Sequence, residues 1–451
     1  MENFSLLYKS LKRAKAYAQG LDSQTRDISI TLDLFNAAQI PFDKIPSIAV
    51  TGSKGKGSTS ILTSAILEKT GKKVGLVSSP HLVDFCERIR INGQMISEKD
   101  FLDILTRLAP IINKIDANLP VNKFLGPTGI ILACAIIYFA ENQVDIMVLE
   151  AGRGGRFDET NLLPSSVTCL TPIMNEHLDK LGPTVLDVAW NKVGLTKSQS
   201  IVVSATQTEE INNIILSEVA SKNATLFSIG KEIFYQSNKI SNEIQEVNIQ
   251  IPNLNFNENI KIKSQGVYQG MNLAVATGAT VTSGLLNDKN SSKANLSSSL
   301  LSLRLPGRCE TINENPKVII DGAINRFAAA EFKKSVSISN YPSILITSLP
   351  DDKDAEGLLA ELAPLADHVI ITTANSPILS FTNDVENIAK KYSKRTTKTL
   401  NSNYAFEIAL TEAGPTGTIW VVGTQSLVRD ALLYWNQKTD TLWYKPSPQH
   451  H

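Results

Sequence analysis

The densest chemistry in the chain lies in Thr51-Gly52-Ser53-Lys54-Gly55-Lys56-Gly57-Ser58-Thr59. The apolar run Ile48-Ala49-Val50 precedes it, with the pattern of a buried strand. SILTSAILEKTG follows, apolar at helical spacing and stopped by Gly71. Strand, glycine loop and helix form the layout of a phosphate-binding loop. Gly52, Gly55 and Gly57 let successive backbone N–H groups turn toward one point, because no Cβ blocks the approach. The helix aims its positive dipole end at the same point. Lys56 adds a mobile full charge, and Ser58 and Thr59 add hydroxyls near a metal-bound phosphate. The spacing Gly-x-x-Gly-Lys is shorter than the common Gly-x-x-x-x-Gly-Lys-[Ser/Thr]. A plain glycine-rich turn is the bland alternative; a lysine and two hydroxyls at the helix start weigh against it.

The elements that must position this loop follow from the rest of the chain. VGLVSS, VDIMVLEAG, VTCLTPI and IVVSA read as buried strands, alternating with helical segments over about 98–115 and 128–141. That alternation predicts an α/β fold with a mostly parallel sheet, whose ligands gather at the carboxyl ends of the strands. Lys56, Ser79, Glu150 and His177 all fall at or just after such ends, so they are expected on one edge. ERIRIN reads as a polar loop, and 231–264 as an antiparallel appendage. The Asn-, Ser- and Lys-rich stretch 287–303 reads as a surface segment ahead of a linker. After Pro306-Gly307 a second, smaller α/β pattern begins with VIIDG and ends with TIWVVG and SLVRDALLYW. The expected domains are 1–303, 304–440 and a polar tail, 441–451, whose closing His450 and His451 carry no signal.

Composition bounds the function. At 451 residues the chain needs more than one core. Zero net charge, with 42% hydrophobic and 20% charged residues, gives no whole-chain attraction to nucleic acid or an acidic membrane. Four scattered cysteines, Cys86, Cys134, Cys169 and Cys309, show no metal-ligand spacing and suit a reducing, cytoplasmic setting. The first twenty residues form an amphipathic helical pattern without a cleavage site. The longest apolar run, Ile130 to Ala140, is too short to span a bilayer.

From about residue 46 to 431 the chain resembles the folylpolyglutamate synthase and dihydrofolate synthase family, a branch of the Mur ligases. The resemblance rests on an ordered set: TGSKGKGST, SSPHLVDFCERIRING, EAGRGGRFDETN, EHLDKLG, NKVGLTK, YQGMN, LPGR, DGAIN, DDKD and VVGTQSLV. It implies a Mur-type nucleotide-binding domain, a Rossmann-like C-terminal domain, and ATP in the cleft between them. It implies magnesium ligands at Ser79, Glu150 and His177, and ATP contacts at Gly52, Gly55, Lys56, Gly57, Ser58, Thr59, Asn272, Arg308 and Asp321. A carboxylate ending a buried strand, as Glu150 does, needs a compensating charge, and a hard cation such as Mg2+ supplies it. Lys192 matches a lysine that the family carbamoylates to hold a second Mg2+; by itself it reads as a solvated helix charge. Lys56, Lys192 and His177 are thus the expected catalytic set. Alone, His177 reads as a hydrogen-bonded structural histidine and Arg308 as a linker arginine, and Lys353 and Asp354 as a solvated turn. The implied reaction couples an acid to an amino acid, glutamate in the first place, through an acyl phosphate. No nucleic-acid or membrane partner is implied, and a monomer is expected.

The pattern departs from the family mostly on the acid-substrate side. Ile324 and Arg326 replace a histidine and a proline, Tyr268 stands for a histidine, and Asn191 for a glutamate. Thr128-Gly129 replaces Phe-Glu, which removes an expected aromatic stacking surface. The alternatives are the same ligase chemistry on a non-folate acid, or a nucleotide-binding regulator that does not ligate. A motor or GTPase would need Asp-x-x-Gly and Asn-Lys-x-Asp motifs, and neither is found.

Overall fold

In the computed structural model, residues 4–241, 243–285, 300–336, 341–376 and 379–444 are described. The expected surface segment at 287–303 lies outside them up to residue 299.

The first lobe is built on eight strands: β1 (Ser47–Thr51), β2 (Val74–Val77), β3 (Ile89–Ile91), β4 (Gln94–Met95), β5 (Ile146–Glu150), β6 (Val167–Leu170), β7 (Ile201–Ser204) and β8 (Thr225–Ser228). Their spatial order is β4-β3-β2-β5-β1-β6-β7-β8. β2, β5, β1, β6, β7 and β8 run parallel, and β3 and β4 turn back antiparallel at one edge. The latter pair corrects the reading of ERIRIN as a loop: Ile89 and Ile91 alternate with Arg90, and that two-residue period is a strand's.

Both faces of this sheet are covered, which explains the unbroken apolar runs of its inner strands. On one face lie helices Lys56–Lys69 and Gln269–Thr282, in one core with Ile48, Val50, Val148 and Val203. On the other, helices Glu98–Asn118 and Pro127–Glu141 pack with Met147 and Leu149. The all-apolar stretch at 130–136 is therefore a buried helix. Strands β9 (Phe234–Lys239), β10 (Ile244–Ile251) and β11 (Phe256–Lys263) form a separate antiparallel sheet, the expected appendage. Its alternating face, Val247, Ile249 and Ile251, closes the first core.

The second lobe has six strands: β12 (Arg308–Glu314), β13 (Lys317–Asp321), β14 (Ser343–Thr347), β15 (His368–Ile371), β16 (Thr396–Lys398) and β17 (Thr418–Val422). They are ordered β12-β13-β17-β14-β15-β16, parallel except for β12. The expected polar tail at 441–451 needs correction. Thr441 bridges to Gln94, Trp443 bridges to Leu303, and Leu442 is only 2% exposed inside the first lobe's core. Residues 445–451 lie outside the described part. Among the described residues, no helix is long and apolar enough to cross a membrane.

Candidate active site

β1 and β5 are neighbours, so their carboxyl ends deliver the glycine loop and Glu150 side by side. The loop is tied down from outside. Ser53 and Lys54 N–H donate to Pro172 O at 2.8 and 3.2 Å, and Ser53 Oγ donates to Met174 O at 3.1 Å. Gly52 has φ +136°, and a Cβ there would stand 2.0 Å from Thr171 Oγ1. Gly55 has φ +93°, with Asn272 Oδ1 2.4 Å from where a Cβ would be. Gly52→Ala combines backbone strain with overlap and is expected to cost about 3 kcal/mol or more, read as a fall in the thermal unfolding midpoint.

A cavity of about 1510 Å³ opens at this edge and extends between the lobes. Gly55, Lys56, Gly57, Ser58, Ser79, Glu150, His177 and Asn272 line it from the first lobe. Arg308 and Asp321 line it from the second. The N-termini of three helices border it: Lys56–Lys69, Arg326–Ser335 and Gln425–Tyr434. Their dipoles and the cations Lys54, Lys56 and Arg308 make this a setting for a polyanion.

Three expected site residues stand behind the wall instead. Gly52 acts through its carbonyl, which accepts from Lys56 Nζ and from Lys192 Nζ, each at 2.8 Å. Thr59 is fully buried and its hydroxyl faces Asn272 Oδ1 at 3.5 Å, because the helix turn rotates it away from the position Ser58 holds. Lys192 is also fully buried, so the solvated-charge reading is wrong. Its ammonium has three acceptors, Gly52 O, Arg153 O at 2.7 Å and Glu176 Oε1 at 2.8 Å. Burial, helped by the nearby Lys56, brings its pKa down to about 8.

Glu150 is 7% exposed and accepts the Ser79 N–H at 2.9 Å. Burial pushes its pKa up, against the pull of Lys56, the Ser79 N–H, Arg308 and Arg88. A carboxylate held this way, with Ser79 lining the same cavity, suits a hard cation with oxygen ligands. Among the described residues no group of three or more His, Cys, Asp or Glu is placed to hold a metal. Mg2+ that arrives with a nucleotide is held through one or two carboxylates and fills the rest of its shell with phosphate oxygens and water. His177, in the left-handed region at φ 49°, has its pKa lowered by burial, which favours a neutral ring with a free lone pair.

The lobes are stitched across the cavity. Asp321 Oδ2 accepts from Tyr268 Oη and from Cys309 N, each at 2.8 Å, and Oδ1 accepts from Ala323 N at 2.8 Å. Tyr268, where the family has a histidine, thereby joins first lobe to second. Gln269 Nε2 donates to Ser58 Oγ at 3.2 Å, and its Oε1 accepts from Asn272 Nδ2 at 2.9 Å. At the far end Tyr8, Phe124, Pro127, Thr128 and Ile131 line the wall. This corrects the expected lack of an aromatic surface: Tyr8 comes from the N-terminal helix and Phe124 from the turn before Pro127. Gly129 itself is buried against Thr31.

Sequence reasoning missed Tyr8 and Lys12 on the amphipathic helix Ser5–Arg13, and Lys15 just past its end, since none of them belongs to a motif. It also missed the ion cluster below that wall, where Arg26 pairs with Glu159 and approaches Asp158 at 3.6 Å. Glu159 follows Asp158 in the quoted EAGRGGRFDETN, so the signal was present but unread.

A family model described as the Mur ligase middle domain matches residues 125–280. The dihydrofolate synthase/folylpolyglutamate synthase of Bacillus subtilis (strain 168) is 28% identical over 351 residues, 76% of this chain and 80% of that protein. Its namesake from Buchnera aphidicola subsp. Schizaphis graminum is 30% identical over 317 residues, 69% of this chain and 70% of that protein. The chain belongs to the dihydrofolate synthase/folylpolyglutamate synthase family. Membership makes it an enzyme of the ATP-dependent acid–amino-acid ligase class. The fold agrees. Mycobacterium tuberculosis folylpolyglutamate synthase, solved with ADP and AMPPCP, superposes with a TM-score of 0.83 at 23% identity, over 92% of this chain and 97% of that one.

Proposed function

We propose that this member of the family joins glutamate to a folate-type carboxylate, dihydropteroate or a folate, at the expense of ATP. One observation carries the reading: a glycine loop with Lys56, a buried carboxylate and a second-lobe arginine meet in one cavity. The relatives' names point to the same substrates and give no support to a non-folate acid.

Lys56 and Arg308 bind and neutralise the triphosphate, and the helix N-termini orient it. Ser79, Glu150 and His177 would hold Mg2+, which supplies charge neutralisation on the transferring group. The substrate carboxylate attacks the γ-phosphorus, the bond to the bridging oxygen breaks, and ADP leaves with that electron pair. The neutral amine of glutamate then attacks the acyl carbon, phosphate departs, and the amine gives up a proton as the amide forms. Closure of the two lobes keeps water from the acyl phosphate.

A second metal and a carbamoylated Lys192 belong to the same proposal. The three acceptors around Nζ suit an ammonium, so carbamoylation requires Glu176 to release it or a cation to come between them. Only the neutral amine reacts with CO2, and its fraction grows as pH rises through about 8. A carbamate signal from 13C-labelled bicarbonate is therefore expected to strengthen over that window and to be missing in Lys192→Arg.

The deciding test is a product mass spectrum after incubation with ATP, Mg2+, glutamate and either dihydropteroate or a folate. Addition of one or more glutamyl residues, with matching ADP release, is expected. ADP release only with unrelated acids would replace the substrate, and no ADP release with any acid would leave a nucleotide-binding protein that does not ligate.

A further inference from the structure

The segment after helix Gln425–Tyr434 leaves the second lobe and crosses to the first. Its backbone is held on both sides. Met95 N–H donates to Asp440 O at 2.9 Å, and Leu442 N–H donates to Gly93 O at 3.1 Å. On the other side Arg304 N–H donates to Leu442 O and Tyr444 N–H to Ser302 O, each at 2.7 Å. Two buried arginines grip its carbonyls. Arg90 donates to Thr439 O at 2.7 Å and to Asp440 O at 3.0 Å, and Arg304, paired with Glu310, donates to Lys438 O. Trp443 Nε1 donates to Glu68 at 3.0 Å. Residues 438–444 thus form a strap over the β4 edge and the 302–304 connection.

A side chain of the strap also reaches the turn that follows Ser79. Thr439 Oγ1 donates to Glu87 Oε1 at 2.6 Å. Glu87 is 6% exposed and does more than cap a turn. It accepts the backbone N–H groups of Leu82, Val83 and Asp84 at 3.1, 2.9 and 2.8 Å. Those residues end the loop that begins at Ser79, whose N–H fixes Glu150. The side chains of Leu82 and Val83 meanwhile pack on the second lobe's core with Val428 and Leu432. The contacts close a ring: helix Gln425–Tyr434, strap, Glu87, loop 79–84, and back to the helix.

Resting on the site proposed above, we infer that Glu87 is a positioning residue, clamped by Thr439, that sets loop 79–84 and so holds Ser79 against Glu150. Four donors converge on one buried carboxylate. Loss of the hydroxyl frees one oxygen's strongest partner and loosens the three amides it organises. Seating of the second lobe and geometry of the cation site are then one unit, joined through a side chain that touches neither nucleotide nor metal.

Thr439→Val and Thr439→Ser separate this role from a structural one. Amide hydrogen exchange over 80–88 and Mn2+ titration in the presence of ADP, followed by EPR, are the readouts, with Glu87→Gln alongside. Thr439→Val is expected to speed exchange at Leu82–Asp84 about tenfold. It should also weaken Mn2+ about threefold to tenfold, as loss of a supporting hydrogen bond at a metal site does. Thr439→Ser should match the wild type in both, and Glu87→Gln should exceed Thr439→Val. Faster exchange in Thr439→Val with unchanged Mn2+ affinity would make Glu87 a turn cap only and overturn the inference, as would unchanged exchange. A wild-type protein that binds no Mn2+ with ADP would instead bring down the site reading, and this inference with it.

Discussion

Lys56→Ala is expected to slow ADP formation by about 10²–10³-fold while leaving the thermal midpoint close to that of the wild type. The side chain lines the cavity at the first helical position after Gly55. Its resting partner is one carbonyl, Gly52 O at 2.8 Å, which keeps Lys192 Nζ as a donor when Lys56 is gone. Little folding energy rests on it, whereas the proposed reaction puts the charge of the transferring phosphoryl group at this place. A coupled ADP assay and a melting curve on the same preparation check both halves. An alanine variant with wild-type turnover would remove the glycine loop from the chemistry.

Glu150→Gln is expected to pull activity and stability in opposite directions. Mg2+-dependent turnover should fall at least about a thousandfold, since a bound metal contributes several kcal/mol in the transition state. Without metal, the variant should melt higher than the wild type. The sign follows from the raised pKa of Glu150. Its stability contribution is present below the unfolded carboxylate pKa and is lost as pH rises through the folded value, so near neutrality the ionised group disfavours the fold. Glutamine keeps an acceptor for the Ser79 N–H and removes the charge. Melting curves in ADP, with and without Mg2+, should show the wild type gaining midpoint from the ion and the variant gaining none. A wild type indifferent to Mg2+ would argue against a metal at Glu150.

The edge where these residues meet was legible because each of them closes a recognisable local pattern. Lys56 follows a strand and a glycine turn, Glu150 terminates a β-rich apolar run, and Ser79 closes VGLVSS. Parallel strands then place them together whatever the loops do. The burial of Lys192 is not legible from its own segment, because it depends on acceptors from three distant places, Gly52, Arg153 and Glu176, and no pattern around Asn191-Lys192 announces them. The aromatic wall was misread for a related reason: a substituted motif at Thr128-Gly129 says nothing about a ring brought by Tyr8 from the far N-terminus. The strap was invisible because Thr441-Leu442-Trp443 is too short to show a period, and what buries it is the open edge of β4.

That edge has a consequence for synthesis. Arg90 and the carbonyl of Asp440 are 350 positions apart. At about 5–20 residues per second, a ribosome needs roughly 20–70 s to make the intervening chain. Throughout that time the nascent first lobe carries a bare β4 rim and an empty slot for Leu442, the kind of unpaired border that recruits other chains. Transient shielding during translation, by a chaperone or by slow release, would matter more for this enzyme's yield than for its finished stability.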